Sequence, residues 1–148
     1  MKYKYKPYSN QTAPNGDLLT FPIVSAILKH GKHEINIECL VDSGASESLF
    51  SLDIAHLLGI DLSKAKPQSY IGIGNISVQG FKNDVKLKLS GFDTWITFEA
   101  GFIDQNEMPL LGHSGFFDNY EITFRAYQNR FEIKSKIRKL PRQKKLRN

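Results

Sequence analysis

The stretch Glu38-Cys39-Leu40-Val41-Asp42-Ser43-Gly44-Ala45-Ser46 decides how this chain is read. Just before the Asp, Ile35, Ile37 and Cys39 alternate with Asn36 and Glu38, the period of two that marks a half-buried strand. That strand runs into a carboxylate followed by a hydroxyl, a glycine and an alanine. An Asp at the end of a core strand loses hydration, which disfavours its charged form, so it must turn to solvent or find partners. Gly44 lets backbone N–H groups approach the carboxylate with no Cβ in the way, and Ala45 keeps one wall of the site small. On the tetrapeptide alone, a plain Asp-Ser-Gly turn between strand and helix is an equally good reading, because these are the commonest turn residues.

On the C-terminal side, Ser51 to Gly59 predicts a helix. Ser51 is placed to cap the first N–H groups, Asp53 suits the first turn, and Gly59 suits a left-handed position after the end. On the N-terminal side, Leu18 to Leu28 and Glu34 to Val41 read as two strands joined around Gly31. Further on, Gln68 to Gly74 and Ile76 to Gly80 flank a glycine-rich tip at Gly72-Ile73-Gly74-Asn75. Asp84 to Leu89 and Thr94 to Ile103 continue the strand pattern. Pro109 to His113 closes a buried run, residues 114–119 suit a short helical turn, and Tyr120 to Tyr127 with Arg130 to Ile133 form a hairpin around Gln128-Asn129. About eight short strands with one helix point to an all-β, closed or nearly closed architecture.

The 148 residues fit one domain, and 41% apolar with 24% charged residues is an ordinary globular balance. The division expected is an N-terminal arm over 1–16, a folded domain over 17–133 and a basic tail over 134–148. The arm, with alternating Lys and Tyr and with Pro7 and Pro14, suits a loosely held segment or one edge strand. The net charge of +5 belongs to the tail, which holds eight of the 20 basic side chains and no acidic one. Twelve basic and fifteen acidic side chains remain in residues 1–133, a net of −3. The overall basicity is therefore weak evidence for a nucleic-acid-binding domain; a solvated tail is the first expectation, and tail contact with nucleic acid or another polyanion the lesser one.

Cys39 is the single cysteine, so no intrachain disulfide forms. His30 and His33 straddle a glycine turn and His56 falls on the polar face of the expected helix, a set from which no metal site is expected, and no cofactor is called for. The first residues lack an apolar run after their basic side chains, and no stretch of about 18 apolar residues is present. A soluble, cytoplasmic protein without membrane contact is the expectation. The scattered phenylalanines read as core.

Three motifs in order carry a resemblance. Leu40-Val41-Asp42-Ser43-Gly44-Ala45, then Tyr70-Ile71-Gly72-Ile73-Gly74-Asn75, then Leu110-Leu111-Gly112 resemble the retropepsin-like aspartic proteases, in which an acid loop, a glycine-rich flap and a hydrophobic-hydrophobic-Gly motif follow one another. The resemblance spans residues 18–133. It implies a retropepsin-like closed β-barrel and an aspartic endopeptidase acting on polypeptide. Asp42, Ser43 and Gly44 would then be catalytic, and Ala45, Ser46, Gly72, Ile73 and Gly74 would bind substrate. Such chemistry takes two carboxylates sharing one proton across a water. No other Asp or Glu is followed by Ser/Thr-Gly, so the second acid would be Asp42 of a homodimer partner on a two-fold axis.

The chain departs from the retroviral pattern at Ser46 and His113, where many of those enzymes have an acid and an Arg that pair. Both partners are missing together, so no lone charge is left, and Glu47 or a Ser46 to His113 hydrogen bond could stand in. In retroviral relatives the chain ends pair in the dimer sheet. Here Lys2, Lys4, Lys6 and the run from Lys134 would bring like charges together there. The competing reading is a catalytically inactive retropepsin-like dimerisation or peptide-binding module, with nucleic-acid contacts through the tail. The intact Asp-Ser-Gly-Ala argues against it, since a binding module has no need of a carboxylate in that apolar turn.

Overall fold

A computed structural model of the chain describes residues 1–72, 74–105 and 108–136. Its elements in chain order are β1 (Lys2–Lys4), β2 (Lys6–Thr12), β3 (Leu18–Phe21), β4 (Ile23–His30), β5 (His33–Val41), β6 (Leu49–Ser51) and α1 (Leu52–Leu57). There follow β7 (Lys66–Ile71), β8 (Ser77–Leu89), β9 (Ile96–Ile103), β10 (Leu110–Leu111), β11 (Tyr120–Arg125), a 3-10 turn (Ala126–Gln128) and β12 (Arg130–Ser135).

The pairing order β4-β5-β10-β6-β9-β8 closes on itself, because β8 also pairs with β4 from Ala26↔Leu89 to Lys29↔Lys86. Six strands therefore form a ring with no free edge between them. Its pairings are mixed: β10 lies parallel to β5, and β6 parallel to β9, while the hairpins β4–β5 and β8–β9 are antiparallel. The alternation seen in sequence is the reason the ring has an inside. Val24, Ala26 and Leu28 of β4, Cys39 and Val41 of β5, Val85, Leu87 and Leu89 of β8, and Ile96, Phe98, Ala100 and Phe102 of β9 are all buried in one core with Phe50. Helix α1 adds Ala55, and the residue after it adds Leu58.

The expected helix forms with its expected caps: the Ser51 hydroxyl accepts the Ile54 N–H at 3.3 Å, and Gly59 takes φ +64°. The expected strand from Leu18 to Leu28 is instead two strands broken at Pro22. Proline has no N–H to give a ladder, and here its carbonyl accepts the Val41 N–H at 2.9 Å. Residues 113–119 wind through turns, with Tyr120 N–H on the Phe116 carbonyl at 3.1 Å, and the regular 3-10 turn falls at Ala126–Gln128, where Asn129 adopts φ 54° and lets β12 return.

The first residues form an edge strand. β1 joins β12 and β11 in a separate three-stranded sheet, with Tyr3 opposite Phe131. The terminal ammonium of Met1 donates to the Ile133 carbonyl at 2.7 Å, and the Ile133 N–H returns a bond to the Met1 carbonyl at 2.9 Å. β12 runs two residues past the expected end at Ile133. No helix among the described residues is long and apolar enough to cross a membrane.

Candidate active site

Val41 is the last residue of β5, and the Asp42 N–H donates to the Leu111 carbonyl at 3.0 Å, so the carboxylate leaves the ring where β5 and β10 run side by side. The chain then turns, with the Ala45 N–H on the Asp42 carbonyl at 3.3 Å. The Gly44 N–H donates to Asp42 Oδ1 at 2.8 Å. A Cβ on Gly44 would stand 3.2 Å from that same oxygen, tight enough to push it aside, so glycine is what lets the loop close on its own carboxylate. Asp42 is half-buried while Ser43 and Gly44 are exposed, and Oδ2 takes no partner among the described residues. One carboxylate oxygen is thus held by backbone and the other faces outward.

The stretch after β10 clamps this loop from the other side. His113 N–H donates to the Ala45 carbonyl at 2.9 Å and Ser114 N–H to the Ser46 carbonyl at 2.8 Å. Gly112 lies so close that a Cβ there would strike the carbonyls of Glu47 and Ala45, which explains why a glycine follows Leu110-Leu111. Beneath the clamp Ser48 is fully buried; its hydroxyl accepts the Gly112 N–H at 3.1 Å and donates to the Ser114 carbonyl at 3.2 Å. The imidazole of His113 stacks on Phe117, and its Nε2 lies 2.9 Å from the Ser43 carbonyl, to which it donates in the Nε2–H tautomer. The contact between His113 and the acid loop therefore runs to the Ser43 backbone, while Ser46 is engaged through its own carbonyl.

Glu47 pairs with Lys82 of β8 at 2.8 Å, with the two side chains only 28% and 19% exposed. Lys82 also lies 3.9 Å from Glu99, which in turn meets Lys66 at 3.0 Å. Tyr70 of β7 packs into the space left by Gly80 and Gly101, where a Cβ on either would meet its ring or hydroxyl. Burial, then the charges of Glu47 and Glu99, push the Tyr70 phenol up to about 12. The phenol is therefore neutral throughout the range in which carboxylates titrate. The Glu47–Lys82 pair ties the base of the β7–β8 hairpin, where Lys82 stands opposite Lys66, to the acid loop, while the Tyr70 hydroxyl nearer the tip is buried with no hydrogen-bond partner among the described residues.

That hairpin ends in a tip where the Gly72 N–H donates to the Ile76 carbonyl at 3.0 Å and Gly74 and Asn75 adopt φ +81° and 59°. Gly72 and Gly74 are exposed, as are Ile71 and Ile76 beside them; Ile73 lies outside the described residues. Among the described residues no hydrogen bond joins this tip to the Asp42 loop. The structure thus brings Asp42, Ser43, Gly44, Ala45 and Ser46 together with His113 and Ser114, and carries Gly72 and Gly74 on a separate hairpin. Sequence reading did not single out Ser48 or Lys82, and it named Tyr70 only as the first residue of the glycine-rich motif, with no role of its own. Each looks like an unremarked residue of a strand or loop until register shows what it faces.

No protein-family model matches the chain, and no curated protein matches it. Among solved structures, a retropepsin-like aspartic protease from Rickettsia conorii aligns with TM-score 0.57 at 16% identity, over 90% of this chain and 98% of that one. EIAV protease, complexed with an inhibitor, aligns with TM-score 0.51 at 20% identity, over 63% of this chain and 82% of that one. At such identities the likeness is one of architecture. Together with a closed six-strand ring, an acid loop at the end of β5 and a glycine crossing after β10, it gives this chain the retropepsin-like fold.

Proposed function

We propose that the chain is an aspartic endopeptidase that hydrolyses polypeptide as a symmetric homodimer, each subunit supplying Asp42. The observation that carries this reading is the state of Asp42 itself. One oxygen is held by the Gly44 N–H at 2.8 Å, the other is open, and Ser43 and Gly44 beside it are exposed on a single protomer. No other Asp-Ser/Thr-Gly exists in the chain to complete a pair, so a second copy must bring the second acid.

In the dimer the two carboxylates share one proton, because like charges so close do not both ionise. The ionised one acts as general base on a bound water, and the protonated one polarises the peptide carbonyl and passes its proton toward the amide. The roles exchange by symmetry, and the pair titrates as a unit. Ser43 braces the two loops across the axis through its hydroxyl, and Gly44 fixes the carboxylate plane. Substrate lies extended along the cleft, pairing with backbone as an added strand over Ala45 and Ser46. The β7–β8 hairpin closes on it through Gly72, Ile73 and Gly74 as a flap that excludes water. The proposed compartment is the cytoplasm, since the lone Cys39 has no disulfide to form.

The test is digestion of a denatured protein mixture by wild type and by Asp42→Asn. Cleavage that vanishes in the variant supports the reading; a folded dimer that cuts nothing at any acidic or neutral pH favours a binding module on the same fold.

A further inference from the structure

Strands β2 and β3 form a two-stranded ribbon of their own, paired with no other strand among the described residues. None of their residues is buried, so the ribbon has no core to hold it. A lone two-stranded hairpin is marginally stable in water at best. The base of the ribbon is fastened to the body: the Lys6 ammonium meets Glu38 at 2.6 Å, and the Thr20 hydroxyl donates to Asn129 Oδ1 at 2.6 Å. Beyond that base, residues 8–19 make hydrogen bonds only within the ribbon among the described residues. Tyr8 and Leu18 stand 51% and 53% exposed there, and Leu19 is exposed beside them. Strand edges that stay free of other chains are guarded by charge or by proline. Here Pro7 guards only the base, and from Pro7 to Phe21 the single charged side chain is Asp17.

The place of the ribbon on the ring selects what covers it. β3 runs into Pro22, whose carbonyl accepts the Val41 N–H at 2.9 Å, and Ile23 stands opposite Leu40. The ribbon therefore leaves the ring at the same rim as Asp42. A two-fold axis that brings a second Asp42 to this rim brings the body of the second copy with it. A stable dimer takes about 20–30 residues a side, and the acid loop from Asp42 to Ser46 is too short to supply them. The terminal sheet offers no edge of β12, which has β1 on one side and β11 on the other. β2 alone, at seven residues, extends about 23 Å at the usual strand rise, enough to reach across the rim. Its composition fits as well, since the core of a protein interface is poor in charge and rich in aromatic side chains. A nucleic acid, by contrast, finds no basic side chain to hold between Pro7 and Phe21.

We propose that the β2–β3 ribbon is the dimerisation arm of this chain, with Tyr8, Leu18 and Leu19 laid against a second copy across the axis at the acid loop. The contact is isologous, each ribbon covering the other subunit and being covered in turn. This inference rests on the homodimeric reading of Asp42 and adds to it the surface that holds the two copies together.

The experiment is sedimentation velocity of the full chain over a concentration series, beside Tyr8→Asp/Leu18→Asp and, as a control on another element, Leu57→Asp in α1, where the side chain is 63% exposed. The wild type should dimerise. The ribbon variant should dimerise about thirtyfold more weakly or worse, with an unchanged circular dichroism spectrum, while Leu57→Asp should match the wild type. All three side chains are more than half exposed, so the fold of one protomer does not depend on them. Should the double variant nonetheless lose its fold, Leu18→Ser alone should weaken dimerisation about fivefold. A folded ribbon variant that dimerises like the wild type would overturn the proposal and leave the homodimeric reading standing. Equal loss of the dimer in Leu57→Asp would also overturn it, because the effect would then not belong to the ribbon. A wild type that stays monomeric throughout would overturn both.

Discussion

The Asp42 carboxylate accepts one hydrogen bond, from the Gly44 N–H, while its backbone N–H donates to the Leu111 carbonyl and its carbonyl accepts from the Ala45 N–H, and none of these requires its charge. Asp42→Asn keeps an oxygen for the Gly44 N–H, so its melting temperature should stay within a few degrees of wild type while cleavage disappears. Ser48 makes the opposite prediction. Its hydroxyl is the buried link between the acid loop and the crossing after β10, accepting from Gly112 and donating to Ser114. Ser48→Ala leaves a buried N–H unpaired and should cost about 1–3 kcal/mol in a urea titration. Gly112→Ala drives a methyl into the Glu47 and Ala45 carbonyls, which are backbone and cannot step aside; about 3 kcal/mol or more of stability should be lost. The residues of the acid loop were legible in sequence because their types are restricted by chemistry. The roles of Ser48, Lys82 and Tyr70 were not, because a serine, a lysine and a tyrosine acquire meaning here only through partners distant in the chain, as far as the 66 residues that separate Ser48 from Ser114.

At the scale of elements, local rules carried far where a strand or helix is decided by its own residues. The cap at Ser51, the stop at Gly59 and the period of β5 all appear as read. Pro22 divided one apolar run into two strands because a missing N–H outweighs continuity of apolar character. The two residues of β10 could not be recognised as a strand at all; Leu110 and Leu111 are strand only because β5 and β6 lie on either side. The β7–β8 hairpin supplies a prediction of its own. Gly74 takes φ +81° with nothing near the site of a Cβ, so Gly74→Ala meets only backbone strain and should cost about 1 kcal/mol. If this hairpin is the flap, the same variant should raise KM for peptide with little change in melting temperature.

For the molecule as a whole, closure of the ring was legible only as a strand count, since nothing local says that β8 will pair with β4 as well as with β9. The same holds for the terminal sheet, in which Lys2 lies opposite Glu132, Lys4 opposite Arg130 and Lys134 opposite Glu121, while residues 137–148 of the basic tail lie outside the described residues. β12 ends at Ser135, and Lys136, the last of the described residues, bonds back through its N–H to the Asn119 carbonyl at 2.9 Å and its ammonium to the Phe117 carbonyl at 2.8 Å. Removing everything after Ile137 should therefore leave the circular dichroism spectrum and the melting temperature unchanged. A loss of the folded state would mean that the tail belongs to the fold. On the proposed reading, in which each subunit supplies one Asp42, activity is expected to fall as the square of protomer concentration at high dilution, which a dilution series of cleavage rates checks.

The most direct test of the account is cleavage of a denatured protein mixture from about pH 3 to pH 7, a range chosen to run from the acid side, where a carboxylate pair shares one proton, to where that proton is lost, with sedimentation in parallel and Asp42→Asn as the control. The account predicts cleavage by a dimer, strongest on the acid side and absent from a variant that still sediments as a dimer. Cleavage that persists in Asp42→Asn, or that travels with the monomer, would contradict it.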